Sequence, residues 1–263
     1  MTDTTGQPVR YEVADGVARL TLDSPDTRNA LGDAMLDALL AALERARDDT
    51  EVRVVVLGSS HPTVFCAGGD LKAFASDAAP VERHAGLDRF PRLFTLLARL
   101  GKPVLCAAGG DTLAGGFGLA LACDLVVARR GVRFGCPEIN VGVFPFMIST
   151  LVDRNVGRLT ANALMLLGDL VDADEALRLG LVNTVVDDAD FDATVDAWAT
   201  RLAAKSPLLL RMGKDALAAT RDLAMADALD VLQARLALAL TTNDIREGVA
   251  AFREKRPPRW TMS

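Results

Sequence analysis

The chain has 263 residues, a formal net charge of -6, and half of its residues hydrophobic against 24% charged. That length suits one large domain or a core with an appendage. The acidic balance argues against a nucleic-acid partner, and no apolar run is long enough to span a bilayer. The four cysteines, Cys66, Cys106, Cys123 and Cys136, form no C-x-x-C pair, and only His61 and His84 are present to join them, so they read as buried free thiols with no metal site.

Met1 to Arg10 are polar with no apolar h-region, which reads as a flexible tail over residues 1–10 and, by default, a cytoplasmic protein. Tyr11 to Val13 and Val17 to Leu22 flank Asp15-Gly16, the signature of a hairpin with a two-residue turn. Leu36, Leu39, Leu40 and Leu43 recur at helical spacing, and Val52 to Leu57 is a β-branched run of a strand buried on both faces. A second helical stripe, Phe90 to Leu100, stops at Gly101 and Pro103, and Val104 to Ala107 reads as the next strand. Leu119 to Cys123 reads as a short buried helix and Asp124 to Ala128 as a strand, so the alternation predicts a largely parallel central sheet. From about residue 158 the chain turns helical apart from Val182 to Val186, with Met225, Leu229, Leu232, Leu236 and Leu240 on one stripe and a last helix near Asp244 to Phe252. Trp260, in the basic and proline-rich tail, reads equally as a subunit contact or a surface anchor.

Two glycine-rich turns, Phe65 to Asp70 and Leu113 to Gly118, each lie where a strand passes into a helix. There backbone N–H groups can approach a bound oxygen, and the pair suggests an oxyanion hole. Dinucleotide, phosphate-loop and serine-hydrolase motifs are absent or incomplete, as in Gly116-Phe117-Gly118, where Leu121 takes the place of the final small residue. Acid/base chemistry remains, with Glu138 as the one obvious proton carrier among Phe134, Ile139, Val141, Val143 and Phe144. A helix cap or an arginine partner is an equal reading of Glu138, and Asp111 reads as a turn aspartate.

The ordered motifs Arg28-Asn29-Ala30-Leu31, Phe65-Cys66-Ala67-Gly68-Gly69-Asp70-Leu71, Lys102-Pro103-Val104, Gly109 to Asp124, Phe134-Gly135-Cys136-Pro137-Glu138, Gly142 and Phe252 to Pro257 resemble the crotonase superfamily, also called the enoyl-CoA hydratase/isomerase family. The resemblance implies an α/β fold, a crotonase-like spiral of β-β-α units over residues 11–195. A helical C-terminal trimerisation region over 196–263 would then form a homotrimer or hexamer. It also implies an acyl-CoA substrate, with coenzyme A as part of the substrate and no separate cofactor. The Gly69 and Gly115 N–H groups would hold the thioester oxygen. The substrate site would draw on Arg28, Ala30, Leu31, Ala67, Gly68, Asp70, Leu71, Gly116, Pro137 and Gly142. Arg28 and Lys72 are candidates for the CoA phosphates, although a solvated surface role suits either.

Two departures bear on function. Gly69 stands where many relatives have Ala, and Gly118 stands where the family's hydratases carry the first of two glutamates. A single glutamate is what the family's 3,2-enoyl-CoA isomerases use, so isomerisation is the favoured expectation. The alternatives are a 2-enoyl-CoA hydratase of fatty-acid or related acyl-CoA metabolism, working slowly with one glutamate and a differently positioned water, for which Gly118→Glu is the test, and a non-catalytic acyl-CoA binding protein. Phe144 to Met147 would shape the acyl end, or simply form an apolar turn, and Ser76 to Asp88 would contribute pocket walls.

Overall fold

Asp15 and Gly16 both take positive φ (51° and 77°), and so close a hairpin between β1 (Val9–Ala14) and β2 (Val17–Leu22), with Ala14 opposite Val17. The computed structural model describes residues 7–70 and 86–263. Val9 is buried and pairs with Leu22, so strand structure begins inside the stretch expected to be a tail.

Beyond the hairpin the chain winds between two sheets. The larger runs in the order β1-β2-β3-β5-β7-β10 and is parallel except for the β1–β2 hairpin. Its later strands are β3 (Val54–Ser59), β5 (Val104–Ala108), β7 (Leu125–Arg129) and β10 (Thr184–Val186). The smaller sheet has the order β4-β6-β8-β9, from β4 (Val64–Cys66), β6 (Asp111–Leu113), β8 (Arg133–Gly135) and β9 (Leu170–Asp172). Each of β3, β5 and β7 is thus followed by a short strand in the other sheet, the β-β-α repeat. These second strands carry no signal in the sequence, because three residues are too few for a period-2 pattern.

The larger sheet is buried on both faces, which accounts for the continuous apolar run in β3. On one side lie α1 (Asp33–Asp48) and α2 (Arg89–Ala98), with Leu36, Leu39, Leu43, Leu93 and Leu97 packed on Leu20, Val55 and Leu57. Each such leucine contributes about 1.5–3 kcal/mol by burial. On the other side Val54, Val56, Leu105 and Val127 meet Val195, Ala199 and Ala203 of α7 (Asp188–Ala203). The expected domain boundary at 195/196 therefore cuts a helix that belongs to the core.

Four helices complete the middle of the chain: α3 (Gly115–Leu121), α4 (Phe146–Asn155), α5 (Arg158–Leu167) and α6 (Ala173–Arg178). They are followed, after α7, by α8 (Pro207–Thr220), α9 (Met225–Ala239) and α10 (Asn243–Glu254). The buried Lys214 pins α8 to the sheet, its ammonium donating to Asp124 Oδ2 at 2.6 Å and to the Lys102 carbonyl at 3.0 Å. Asp124 also receives the Val104 N–H at 2.7 Å. Trp260 proves to be an anchor within the chain: its indole N–H donates to the Ala204 carbonyl at 2.8 Å and its ring lies against Gly248. By contrast α9 buries none of its residues, and Met225, Leu229, Leu236 and Leu240 stand exposed. No helix among the described residues is long and apolar enough to cross a membrane.

Candidate active site

Strands β4, β6 and β8 are parallel neighbours, so their carboxyl ends lie side by side on one edge of the smaller sheet. The first glycine turn leaves β4, the second leaves β6, and the Pro137–Val141 3-10 turn carrying Glu138 leaves β8. The three features that the sequence singled out therefore converge through strand order.

The two glycine turns are in direct contact. A Cβ on Gly68 would lie 2.3 Å from Ala114 Cβ and 3.0 Å from Gly115 N, and one on Gly115 would lie 3.4 Å from Gly69 N. Gly68 has φ +97°, which with this crowding makes glycine obligatory there. Ala114 takes φ +53°, a strained conformation for a residue with a Cβ, and is held in it by its N–H bond to the Gly135 carbonyl at 2.9 Å. Among the described residues neither the Gly69 nor the Gly115 N–H has a hydrogen-bond partner. Two close, unspent amide donors, one of them at the N-terminus of α3, are of the kind that can stabilise a developing oxyanion.

Gly116 has a packing role. A Cβ there would lie 2.6 Å from both Cβ and the carbonyl oxygen of Cys66, so the missing side chain lets α3 pack on β4. The Arg28–Leu31 segment lies against the first turn, through Ala67 N–H to the Arg28 carbonyl at 3.1 Å and Leu31 N–H to the Gly68 carbonyl at 2.7 Å. Arg28 is exposed and has no ion pair among the described residues, Ala30 is half-buried, and Leu31 is buried with its Cδ1 3.3 Å from the Gly115 Cβ position. Asp70 lies beside Gly32 at the start of α1. Leu71, Lys72, His84 and Ser76 to Arg83 with Ala85 lie outside the described residues.

Glu138 neither caps a helix nor meets an arginine among the described residues. Among those residues its buried Oε2 has no hydrogen-bond partner. Burial raises its pKa to about 7, opposed only by its own backbone amide. The same burial, with the Glu138 charge adding to it, pushes the Cys136 thiol up to about 12, so Cys136 stays neutral beside the carboxyl. Pro137 starts the 3-10 turn, and Gly142 closes it in the left-handed region with open space around it. Asp111 is structural: it receives the Arg133 N–H at 2.9 Å and pairs with the Arg133 guanidinium.

Gly118 is not a vacant position. A Cβ there would fall 2.2 Å from Ile148 Cγ2 and 3.3 Å from Phe94 Cζ. An apolar wall from α2 and α4 fills the space, so Gly118→Glu alone has no room for a carboxylate. Phe94 belongs to the helical stripe Phe90 to Leu100, whereas Ile148 carries no such signal in the sequence, and their meeting over Gly118 is a product of the fold. Phe144 packs edge-on to Phe146 at 5.1 Å, Phe144 against the core and Phe146 largely exposed. Among the described residues no group of three or more His, Cys, Asp or Glu side chains is placed to hold a metal.

Residues 12–263 match the family described as enoyl-CoA hydratase/isomerase. A "probable enoyl-CoA hydratase 2, mitochondrial" of Arabidopsis thaliana is 36% identical over 247 residues, covering 94% of this chain and 82% of that protein. The 2,3-dehydroadipyl-CoA hydratase of Escherichia coli K12 is 35% identical over 246 residues, covering 92% and 94%. A crystal structure of an enoyl-CoA hydratase from Mycobacterium smegmatis superposes with a TM-score of 0.92 at 35% identity, covering 96% of this chain and 98% of that one.

Proposed function

Because this chain belongs to the enoyl-CoA hydratase/isomerase family and is a crotonase-type enzyme, we propose that it converts 3-enoyl-CoA to 2-enoyl-CoA thioesters with Glu138 as the single proton carrier. The ionised Glu138 takes the proton from C2. The electron pair moves onto the thioester oxygen, which accepts the Gly69 and Gly115 N–H groups, each donor contributing about 3–4 kcal/mol to the transition state. The dienolate then collapses, C4 takes the proton back from Glu138, and the double bond ends between C2 and C3. A carboxyl titrating at about 7 suits both halves, being half ionised at neutral pH.

The observation that carries the choice is Ile148 and Phe94 packed over Gly118, so that among the described residues apolar groups occupy the place where a carboxylate at 118 would share a water with Glu138. Hydration of a 2-enoyl-CoA is the second reading, favoured by the hydratase names of the relatives. It requires Glu138 to activate water without a partner at residue 118. The two reactions move one absorbance in opposite directions, since isomerisation creates the conjugated enoyl thioester and hydration removes it. Faster turnover of 3-hexenoyl-CoA than of crotonyl-CoA supports isomerisation; the reverse order establishes hydration.

Arg28, exposed beside Ala67, would take a CoA phosphate, with Ala30, Leu31, Ala67, Gly68, Asp70, Pro137 and Gly142 around the thioester and pantetheine. The exposed apolar face of α9, with Phe252 of α10, fits self-association as a trimer or hexamer.

A further inference from the structure

Asn29 is a fully buried polar side chain that the chemistry above does not use. Its Oδ1 accepts the Ser24 N–H at 2.8 Å, and its amide donates to Ser59 Oγ at 2.8 Å and to the Phe65 carbonyl at 3.0 Å. Its own carbonyl accepts the Cys66 thiol at 3.0 Å, and Cys66 Sγ in turn lies 3.5 Å from the Gly68 N–H. Arg28 and Asn29 both take positive φ (57° and 56°), a conformation asparagine tolerates better than most residues. One residue thus ties three segments together: the Ser24–Leu31 loop, the end of β3 at Ser59, and β4 where it runs into the first glycine turn.

We infer that Asn29 is a positioning residue for the oxyanion hole, fixing the direction of the Gly69 N–H through the β4 exit. The lever is short. From Asn29 the loop continues to Leu31, whose N–H bonds to the Gly68 carbonyl at 2.7 Å and whose bridge partner is Gly69. On the other side Phe65, held by the Asn29 amide, is four residues from Gly69. Both amide hydrogens are spent, so an isosteric aspartate cannot reproduce the arrangement: it lacks the NH2 group and sets a carboxylate against the Phe65 carbonyl. Amide donors are effective only within a few tenths of an ångström of the position the oxyanion takes, so a small shift of the turn costs rate before it costs binding.

This rests on Gly69 and Gly115 being the hole, and the test separates the two. A 2,4-hexadienoyl-CoA thioester absorbs at longer wavelength when its carbonyl is polarised, so the red shift on binding reports the hole directly. Asn29→Asp and Asn29→Gly should lose at least half of the wild-type red shift and lower kcat at least tenfold, with KM within threefold. Val195→Ala, on the far face of the larger sheet, serves as the control: it should lower the melting temperature and leave the shift unchanged. If the Asn29 variants fail to fold, Ser59→Ala removes one acceptor of the Asn29 amide and should give a smaller loss of the same sign. Asn29 or Ser59 variants with the full shift and kcat overturn the inference. A wild-type protein that binds with no shift overturns the hole and the inference together.

Discussion

Replacing Glu138 with glutamine should stabilise the fold while removing activity, and the stabilisation should depend on pH. Burial raises the carboxyl from 4.5 to about 7, so the folded state prefers it neutral. Its favourable contribution is therefore fully present below about pH 4.5 and is lost as pH rises through about 7. At 1.36 kcal/mol per unit the rise sets a ceiling of about 3 kcal/mol, and partial solvent access reduces this to about 1–2 kcal/mol. Glutamine is neutral and of nearly the same shape. Urea denaturation at pH 8 should find Glu138→Gln more stable than wild type by about 1–2 kcal/mol, and the difference should vanish near pH 4. Over the same range wild-type kcat/KM should climb about tenfold per unit below pH 7 and level off above it, while the variant, about 10²–10⁴-fold lower on that plateau, lacks this rise. A variant less stable than wild type at pH 8, or a stability difference that ignores pH, would refute the buried, unpartnered carboxyl as the titrating group.

Two steric predictions accompany this one. Gly118→Glu alone should lose about 1–3 kcal/mol of stability by overpacking against Ile148 and gain no hydratase activity. Adding Ile148→Ala should make room and raise hydration of crotonyl-CoA at least tenfold over the single variant, as read by loss of enoyl absorbance. Gly68→Ala should destabilise the protein by about 2–4 kcal/mol, from its contact with Ala114 Cβ and from φ +97°, and adding Ala114→Gly should recover only the contact part in thermal melts.

The elements that sequence reveals most clearly are those whose period is long enough to be counted. The leucine stripe of α1, the β-branched run of β3 and the Asp15-Gly16 hairpin all appear where the residues place them. Strands β4, β6 and β8 escape a periodic reading because they are three residues long, yet they line up the two glycine turns and Glu138. Single glycines were harder still. Gly68, Gly116 and Gly118 look alike as letters, but one faces the second turn, one seats a helix on Cys66, and one lies under Ile148. The stripe on α9 shows the opposite limit, because its helical period is genuine while the face it predicts as core is exposed in the single chain. Asn29 lies in the Arg28-Asn29-Ala30-Leu31 motif, and only the fold shows that its side chain is buried and fully engaged.

The most direct measurement follows a deuterium label. A 3-enoyl-CoA carrying deuterium at C2 is turned over in ordinary water, and the 2-enoyl-CoA product is examined at C4 by mass spectrometry and NMR. A proton shuttle on Glu138 alone predicts that part of the label is carried from C2 to C4, and that Glu138→Gln abolishes the transfer together with turnover. Unimpaired turnover in Glu138→Gln, or 3-hydroxyacyl-CoA formed from 2-enoyl-CoA faster than any isomerisation, would contradict it.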